Sequence, residues 1–443
     1  MKGEVKIARR PAVAIRAICI GMAFIATMRP LSARAQESPA IPAKLNVGQC
    51  VEIALKAHPN IGAYAGTVAV NESKVEEAKA PYYPQLNLSA TYGDSYYGST
   101  GNNSQRLLNQ TSTSYSAGAS LQQTIYDFGR TGLSVDIQKL NTGASSADLT
   151  NVTIQVVFGV KQAYYGLLQA RRNRDNAAQA VRQYESHLRQ ARGFYESGTR
   201  PRIDVTKAQV DLSSATLNMI KAENAVKLAK ATLDNAMGVT GGPQYSIDDD
   251  VGHGKVEITL EQVIVKAIEN RADFKSFAFK RKSAAETVKL GSLGYYPTLS
   301  GSAGYTLSGE RAPMDENWNV AVTVTMPLFS GFSTKRQVEE YRASLGSIKA
   351  GEEALRQSVE LDALKAYISL KEAEERIPVA ELATRQSREN LDLADARYTT
   401  GVGNSIEVAD AQAAHINAVT ALNQALYDFK TAEAGLEKAM GGR

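Results

Sequence analysis

The stretch YESGTRPRIDVTKAQVDL (residues 195–212) returns as YTTGVGNSIEVADAQAAH (residues 398–415). Laid over one another, residues 195–238 match 398–441 without a gap. Gly198/Gly401, Ile203/Ile406, Val205/Val408, Ala208-Gln209/Ala411-Gln412, Leu233/Leu436 and Ala236-Met237-Gly238/Ala439-Met440-Gly441 coincide. The same offset brings Ala163-Tyr164 onto Ala366-Tyr367. A second block needs an offset ten residues longer: Tyr82-Tyr83-Pro84-Gln85-Leu86 falls on Tyr295-Tyr296-Pro297-Thr298-Leu299, and Tyr92 falls on Tyr305. The extra ten residues belong in a variable loop between the blocks. An ordered series of separate matches argues for duplication of one unit rather than chance likeness between alanine-rich helices.

Within the repeat, Val205, Ala208, Leu212, Ala215, Met219, Ala222, Val226, Ala229, Leu233 and Ala236 are spaced three and four apart. The second copy reads Val408, Ala411, His415, Ala418, Leu422, Ala425, Phe429, Ala432, Leu436 and Ala439. This is a heptad seam of alternating large and small residues, which lets helix backbones approach closely. His415 interrupts it and is read as a tolerated polar position that helps fix register. Ahead of each seam lies a long helical pattern. Residues 130–196 contain no proline, and a helix of that length spans roughly 100 Å. The second copy, from about residue 333 to 399, contains Pro378, where a bend is expected. Gly198 and Gly401 end the outgoing helices in the left-handed conformation, and Pro201 or Ser405 opens the returning ones.

Each half also carries two segments of period two. Leu86, Leu88, Ala90 and Tyr92 form the first, and Tyr115, Ala117, Ala119 and Leu121 the second. In the other half they are Leu299, Gly301, Ala303, Tyr305 and Leu307, then Trp318, Val320, Val322, Val324 and Met326. Alternation gives one apolar and one polar face. Each run is about 9–11 residues, the length of a tilted strand crossing a bilayer. Aromatics gather at the ends: Tyr82, Tyr83, Tyr126, Phe128, Tyr295, Tyr296, Phe329 and Phe332 at one, Tyr92, Tyr96, Tyr97, Tyr115, Tyr305 and Trp318 at the other. Such girdles mark membrane interfaces. A soluble two-hairpin sheet is the competing reading, the aromatics then reflecting strand propensity.

The 443-residue chain opens with Lys2, Lys6, Arg9, Arg10 and Arg16, an apolar run of about 12 residues at 17–28, and Ala33-Arg34-Ala35. This is the pattern of a secretory signal, and the apolar run is too short to span a bilayer. The first 35 residues hold seven Lys/Arg and one Glu, so without them the formal charge moves from +4 to −2. Nothing in that balance calls for nucleic acid. Cys19 lies in the signal, which leaves Cys50 without an intrachain partner. The histidines His58, His187, His253 and His415 are scattered, without metal-ligand spacing. Gly401-Val402-Gly403 follows a helix, not a strand, so it is no nucleotide loop. No nucleophile elbow is present. The chain is therefore expected to be no enzyme, to need no cofactor and to bind no metal. The acidic run Asp248-Asp249-Asp250 is read as a solvated loop.

Four strands cannot close a barrel, and an open sheet edge is excluded from lipid. Three copies would supply twelve strands and two copies eight; the pattern itself does not choose. The chain resembles the TolC family of outer-membrane factors over its length after the signal. The resemblance rests on the two Tyr-Tyr-Pro-x-Leu entries and the exits Ile125-Tyr126-Asp127-Phe128-Gly129 and Leu328-Phe329-Ser330-Gly331-Phe332. It rests equally on the blocks Gly198…Asp204-Val205…Ala208-Gln209 and Gly401…Glu407-Val408…Ala411-Gln412. It implies a homotrimer whose 12-stranded barrel lies in the outer membrane and continues as a long periplasmic α-helical coiled-coil barrel. Such ducts work with a periplasmic adaptor and an inner-membrane pump in efflux or type I secretion. A periplasmic tether without a pore is the alternative; it would leave the amphipathic strands unused.

On that resemblance, Glu407 and Asp410 line a gate, with Tyr398 and Asp204 at further gate positions. The family's gate arginine falls at Gly403, a departure for which Arg200 or Arg202 could compensate. The turns at Gly198, Thr199, Arg200, Gly401, Val402 and Gly403 would be the adaptor-docking tips. Tyr82, Tyr83, Tyr92, Tyr295, Tyr296, Tyr305 and Trp318 would sit at the membrane interfaces. The expected organisation is a signal (1–35), a segment and helix (36–81), a transmembrane hairpin (82–128) and a coiled-coil pair (129–238). A linker and equatorial segment (239–259) leads to the second helix (260–294), hairpin (295–332) and coiled-coil pair (333–443).

Overall fold

The computed structural model describes residues 42–97, 110–249, 252, 254, 256–311 and 313–442. The expected signal, the first hairpin loop, Asp250 and His253 lie outside them.

The first half runs β1 (Lys44–Leu45), α1 (Val47–Ala57), α2 (Pro59–Ala78), β2 (Gln85–Tyr97), β3 (Gln110–Tyr126), α3 (Arg130–Glu196) and α4 (Arg202–Ala236). The second runs β4 (Ser246–Ile247), α5 (Leu260–Asn270), α6 (Ala272–Ser292), β5 (Thr298–Gly309), β6 (Asp315–Thr325), α7 (Ser333–Thr399) and α8 (Ser405–Ala439). Equivalent helices match in length: α3 and α7 have 67 residues each, α4 and α8 35 each, α1 and α5 11 each. The repeat reaches the caps. Asn46 with Gln49 forms a capping box at α1, and Thr259 with Gln262 forms its copy at α5.

The four long strands form one antiparallel sheet in the order β2-β3-β5-β6. Residues directly opposite in such a sheet share a face. The pairings Leu86↔Leu121, Leu88↔Ala119 and Tyr92↔Tyr115 carry the apolar face from β2 to β3. Leu121↔Ala303 and Ala119↔Tyr305 carry it to β5, and Ala303↔Val320 and Tyr305↔Trp318 to β6. The opposite face holds Asn87↔Ser120, Ser120↔Gly304 and Gly304↔Asn319. One side of the whole sheet is therefore apolar and the other polar. Its apolar side chains stay uncovered, with Leu88 85% and Trp318 76% exposed. β2 and β6 are left as open edges.

Both strand-to-helix junctions are built alike. Phe128 and Gly129 before α3, and Gly331 and Phe332 before α7, all have positive φ. The aromatic and the glycine have exchanged places. Asp127 Oδ2 accepts from the Thr131 amide, and Ser330 Oγ accepts from the Thr334 amide. These caps satisfy first-turn donors that a helix cannot satisfy itself. Tyr126, Phe128 and Tyr296 form an aromatic chain at this end, with ring centroids 4.8 and 5.4 Å apart. Tyr92 and Tyr115 stack at 5.2 Å nearer the other end. Tyr305 and Trp318 pair four residues lower in the register, opposite Ala119.

The helices form a layer one helix deep. The N-terminal part of α3 packs between α2 and α6, and its C-terminal part between α4 and α8; α7 packs on α6 and α8. The order α2-α3-α6-α7 thus passes into α4-α3-α8-α7. Every seam position named for α4 and α8 is buried or half-buried. Helix α7 continues through Pro378, so the proline does not break it. Leu370, Ala373 and Ile377 on the preceding turns are buried against α8 residues Ala425 and Phe429. That packing outweighs one missing backbone hydrogen bond.

The segment after α4 is more than a linker. β4 pairs in parallel with β1. Asp248 forms an ion pair with Lys44, and Asp249 pairs with Arg172 and accepts from the Tyr427 hydroxyl. Asp248 is half-buried and Asp249 exposed, so both are paired while remaining at the surface. Cations on two neighbouring elements reach them, and no local pattern announces that. Cys50 is fully buried in the cluster beneath, where burial pushes its thiol up to about 12.

Candidate functional site: the paired helical tips

The two helical turns repeat bond for bond. The amides of Thr199 and Arg200 donate to the Phe194 carbonyl, at 2.9 and 3.2 Å. The amides of Val402 and Gly403 donate to the Arg397 carbonyl, at 3.0 and 2.8 Å. Gly198 (φ 72°) and Gly401 (φ 82°) supply the left-handed step. Helix α8 is capped by Asn404, whose side chain accepts from the Glu407 amide at 2.8 Å, rather than by Ser405.

The turns are tied to each other. Arg200 Nη2 donates to the Gly403 carbonyl at 2.6 Å, and its guanidinium lies 5.2 Å from the Tyr398 ring centroid. Gln190 Nε2 donates to Thr399 Oγ1 at 2.8 Å. Phe194 meets Tyr398 edge-on at 5.5 Å, and the His187 ring lies 5.1 Å from it. His187 Nε2 and Ser405 Oγ are 3.1 Å apart. Leu391, Ala394, Val408 and Ala411 complete the apolar floor under Tyr398.

The four expected gate residues fall in different surroundings. Tyr398 is fully buried, and its hydroxyl has no hydrogen-bond partner among the described residues. Burial and the nearby Asp204 carboxylate raise its pKa, while Arg200 opposes the shift. Asp204 is half-buried in the first turn of α4. Glu407 and Asp410 are exposed, one turn apart on α8. Glu407 pairs with Arg397 of its own chain at 3.3 Å. Of the two arginines considered for the vacant position at Gly403, Arg200 is the one that reaches it. The described residues hold no group of side chains fit for a metal ion.

His187 and Phe194 carry no functional expectation from the sequence, and Ser405 carries only that of a helix opener. A signal for the first two existed: Ala180, Tyr184, His187, Ala191 and Phe194 are spaced four and three apart on α3. That stripe is a seam and places His187 inside.

The described helices include none long and apolar enough to cross a membrane, a finding that does not bear on the sheet. The profile of the family described as "Outer membrane efflux protein" matches residues 50–239 and 263–442. The Escherichia coli outer membrane protein TolC is 22% identical over 429 residues, covering 89% of this chain and 82% of that one. The Brucella suis outer membrane efflux protein BepC is 29% identical over 196 residues, covering 43% of this chain and 42% of that one. Among solved structures, the Campylobacter jejuni CmeC outer membrane channel superposes with a TM-score of 0.80 at 15% identity, covering 89% of this chain and 85% of that one. With both halves matched by the profile, the chain belongs to the outer membrane efflux protein family.

Proposed function

We propose that three copies of this chain assemble into a passive exit duct, with a twelve-stranded barrel in the outer membrane and a helical conduit in the periplasm. The observation that carries this reading is the sheet β2-β3-β5-β6, apolar on one face, polar on the other and open at both edges. In lipid such edges must be paired, and only identical neighbours offer β6 to β2. The helical layer supports the same closure, because its free edges, α2 and α4 on one side and α7 on the other, follow the same order. Twelve strands leave a lumen, whereas eight are filled by side chains. The polar strand face would line that lumen and the apolar face would meet outer-membrane lipid.

The paired tips form the periplasmic end and dock an adaptor that links the duct to an inner-membrane pump. Glu407 and Asp410, repeated about a threefold axis, make two stacked carboxylate rings that narrow the closed pore and hold divalent cations. Arg200 takes the part of the gate arginine, clamping Gly403 from the neighbouring turn. The duct catalyses nothing and requires no cofactor; selection lies with the pump.

The test is the mass of the detergent-solubilised mature chain together with its conductance in planar bilayers. A trimer forming ion-conducting pores is expected. A monomer that stays in solution without detergent would overturn the proposal. Glu407→Ala combined with Asp410→Ala should weaken divalent-cation block, and unchanged block would remove the carboxylate rings from the gate.

A further inference from the structure

We infer that His187 is a pH-sensitive positioning residue that ties the α7–α8 tip to the α3–α4 tip and releases it on protonation. The burial of this ring is anomalous. His187 is 3% exposed, yet its Nδ1 has no hydrogen-bond partner among the described residues. Its other ring nitrogen meets Ser405 Oγ, at the first residue of α8, and its ring face lies against Tyr398, near the end of α7. One imidazole on α3 therefore touches both arms of the opposite hairpin where they join. No other described histidine spans two hairpins in this way: His58 caps α2 locally, and His415 meets Ser387 within the α7–α8 pair.

A neutral imidazole fits this position with one hydrogen bond. A charged one does not. Protonation makes both ring nitrogens donors, and Nδ1–H would then be a buried charged donor without an acceptor. The charged surroundings are mixed. Asp395 faces the ring from α7; Asp204, Asp211 and the Lys207 ammonium face it from α4. Arg200 stands over the Tyr398 ring, α8 contributes the neutral Ser405, and Glu407 and Asp410 on that helix are exposed. Burial prevails: it holds the imidazole below the ordinary histidine range, against the opposing pull of the three carboxylates.

The direction follows from linkage. In the docked tip the imidazole has a lowered pKa; in an undocked tip it is solvated, with a value of about 6.5. The undocked state binds more protons, so docking is strongest above about pH 6.5 and weakens as pH falls through the window down to the docked value. Each protomer can contribute at most about a tenfold change in the docking equilibrium per pH unit.

The experiment is hydrogen exchange of the full mature chain in detergent, read by mass spectrometry over peptides spanning residues 398–408 and corrected for intrinsic rates at pH 7.5, 6.5 and 5.5. The wild type should lose several-fold to about tenfold protection in this segment between the two extremes. His187→Gln, which cannot charge but can still bond Ser405, should show no such loss, and His187→Asn serves if the glutamine variant misfolds. Tip protection that is independent of pH in the wild type would overturn the inference. So would a loss retained by the His187 variants, or one abolished instead by Glu407→Gln plus Asp410→Asn. The exchange readout needs no conductance. A chain that forms no pore but shows the His187-dependent loss would count against the duct alone. One that conducts but shows no such loss would count against the histidine alone.

Discussion

The α3–α4 and α7–α8 tips share one backbone and differ in what their side chains meet. The same carbonyl accepts the same two amides in each, and the same glycine turns left-handed. Yet Tyr195 is 46% exposed while its repeat partner Tyr398 is fully buried. Phe194, one residue before Tyr195, corresponds to Arg397, and Arg200 corresponds to Gly403. The first tip therefore reaches across with an aromatic and a guanidinium, and the second receives them with a tyrosine ring and a bare carbonyl. Duplication supplied two equal turns; a few substitutions made one the donor of contacts and the other the acceptor.

The largest expected effect separates the two tyrosines. Tyr398→Ala removes a buried aromatic and should destabilise the tip by about 3–5 kcal/mol. Tyr195→Ala, at the surface, should stay near 0.5 kcal/mol. Limited proteolysis at the second turn would read the contrast, and equal sensitivity of the two variants would erase the distinction between the tips. Next comes Arg200→Ala, which removes a charge-assisted bond of about 1.5–3 kcal/mol. Faster exchange at Gly403 and more frequent opening of the proposed channel are expected; if both stayed unchanged, Arg200 would not be the clamp.

Gly198→Ala and Gly401→Ala sharpen the comparison from the other side. Both glycines have positive φ, where a Cβ costs about 1–2 kcal/mol. Thermal shifts of similar size would confirm that the two turns remain backbone equivalents. The smallest effect is expected for Arg397→Ala. Its pair with Glu407 is solvent-exposed, and such pairs contribute at most about 1 kcal/mol, less in salt. A shift in stability that persists in 1 M salt would mean that Arg397 does more than pair with Glu407.

Much of the scaffold was legible because its signals are local. The seam from Val205 to Ala236 needs only the helical period. The alternation from Trp318 to Val324 needs only the pleat. Gly401 needs only its φ. The less legible features depend on residues far apart in the chain. The sequence predicts a bend at Pro378; that α7 runs on unbroken there depends on Ala425 and Phe429, which pack with the turns before it. The partners of Asp248 and Asp249, namely Lys44, Arg172 and Tyr427, come from distant parts of the chain, and no local pattern announces them.

His187 shows the division most clearly. Its spacing on α3 puts it on the buried stripe, and that much the order of residues determines. Which partners it meets there, Ser405 and Tyr398, separated from it by more than two hundred residues, is decided only when two hairpins pack side by side. Period and turn chemistry act within a few residues, so the chain carries them in plain view. Burial of a particular nitrogen, hydroxyl or carboxylate depends on which distant surface covers it, and only the assembled tertiary structure brings that surface.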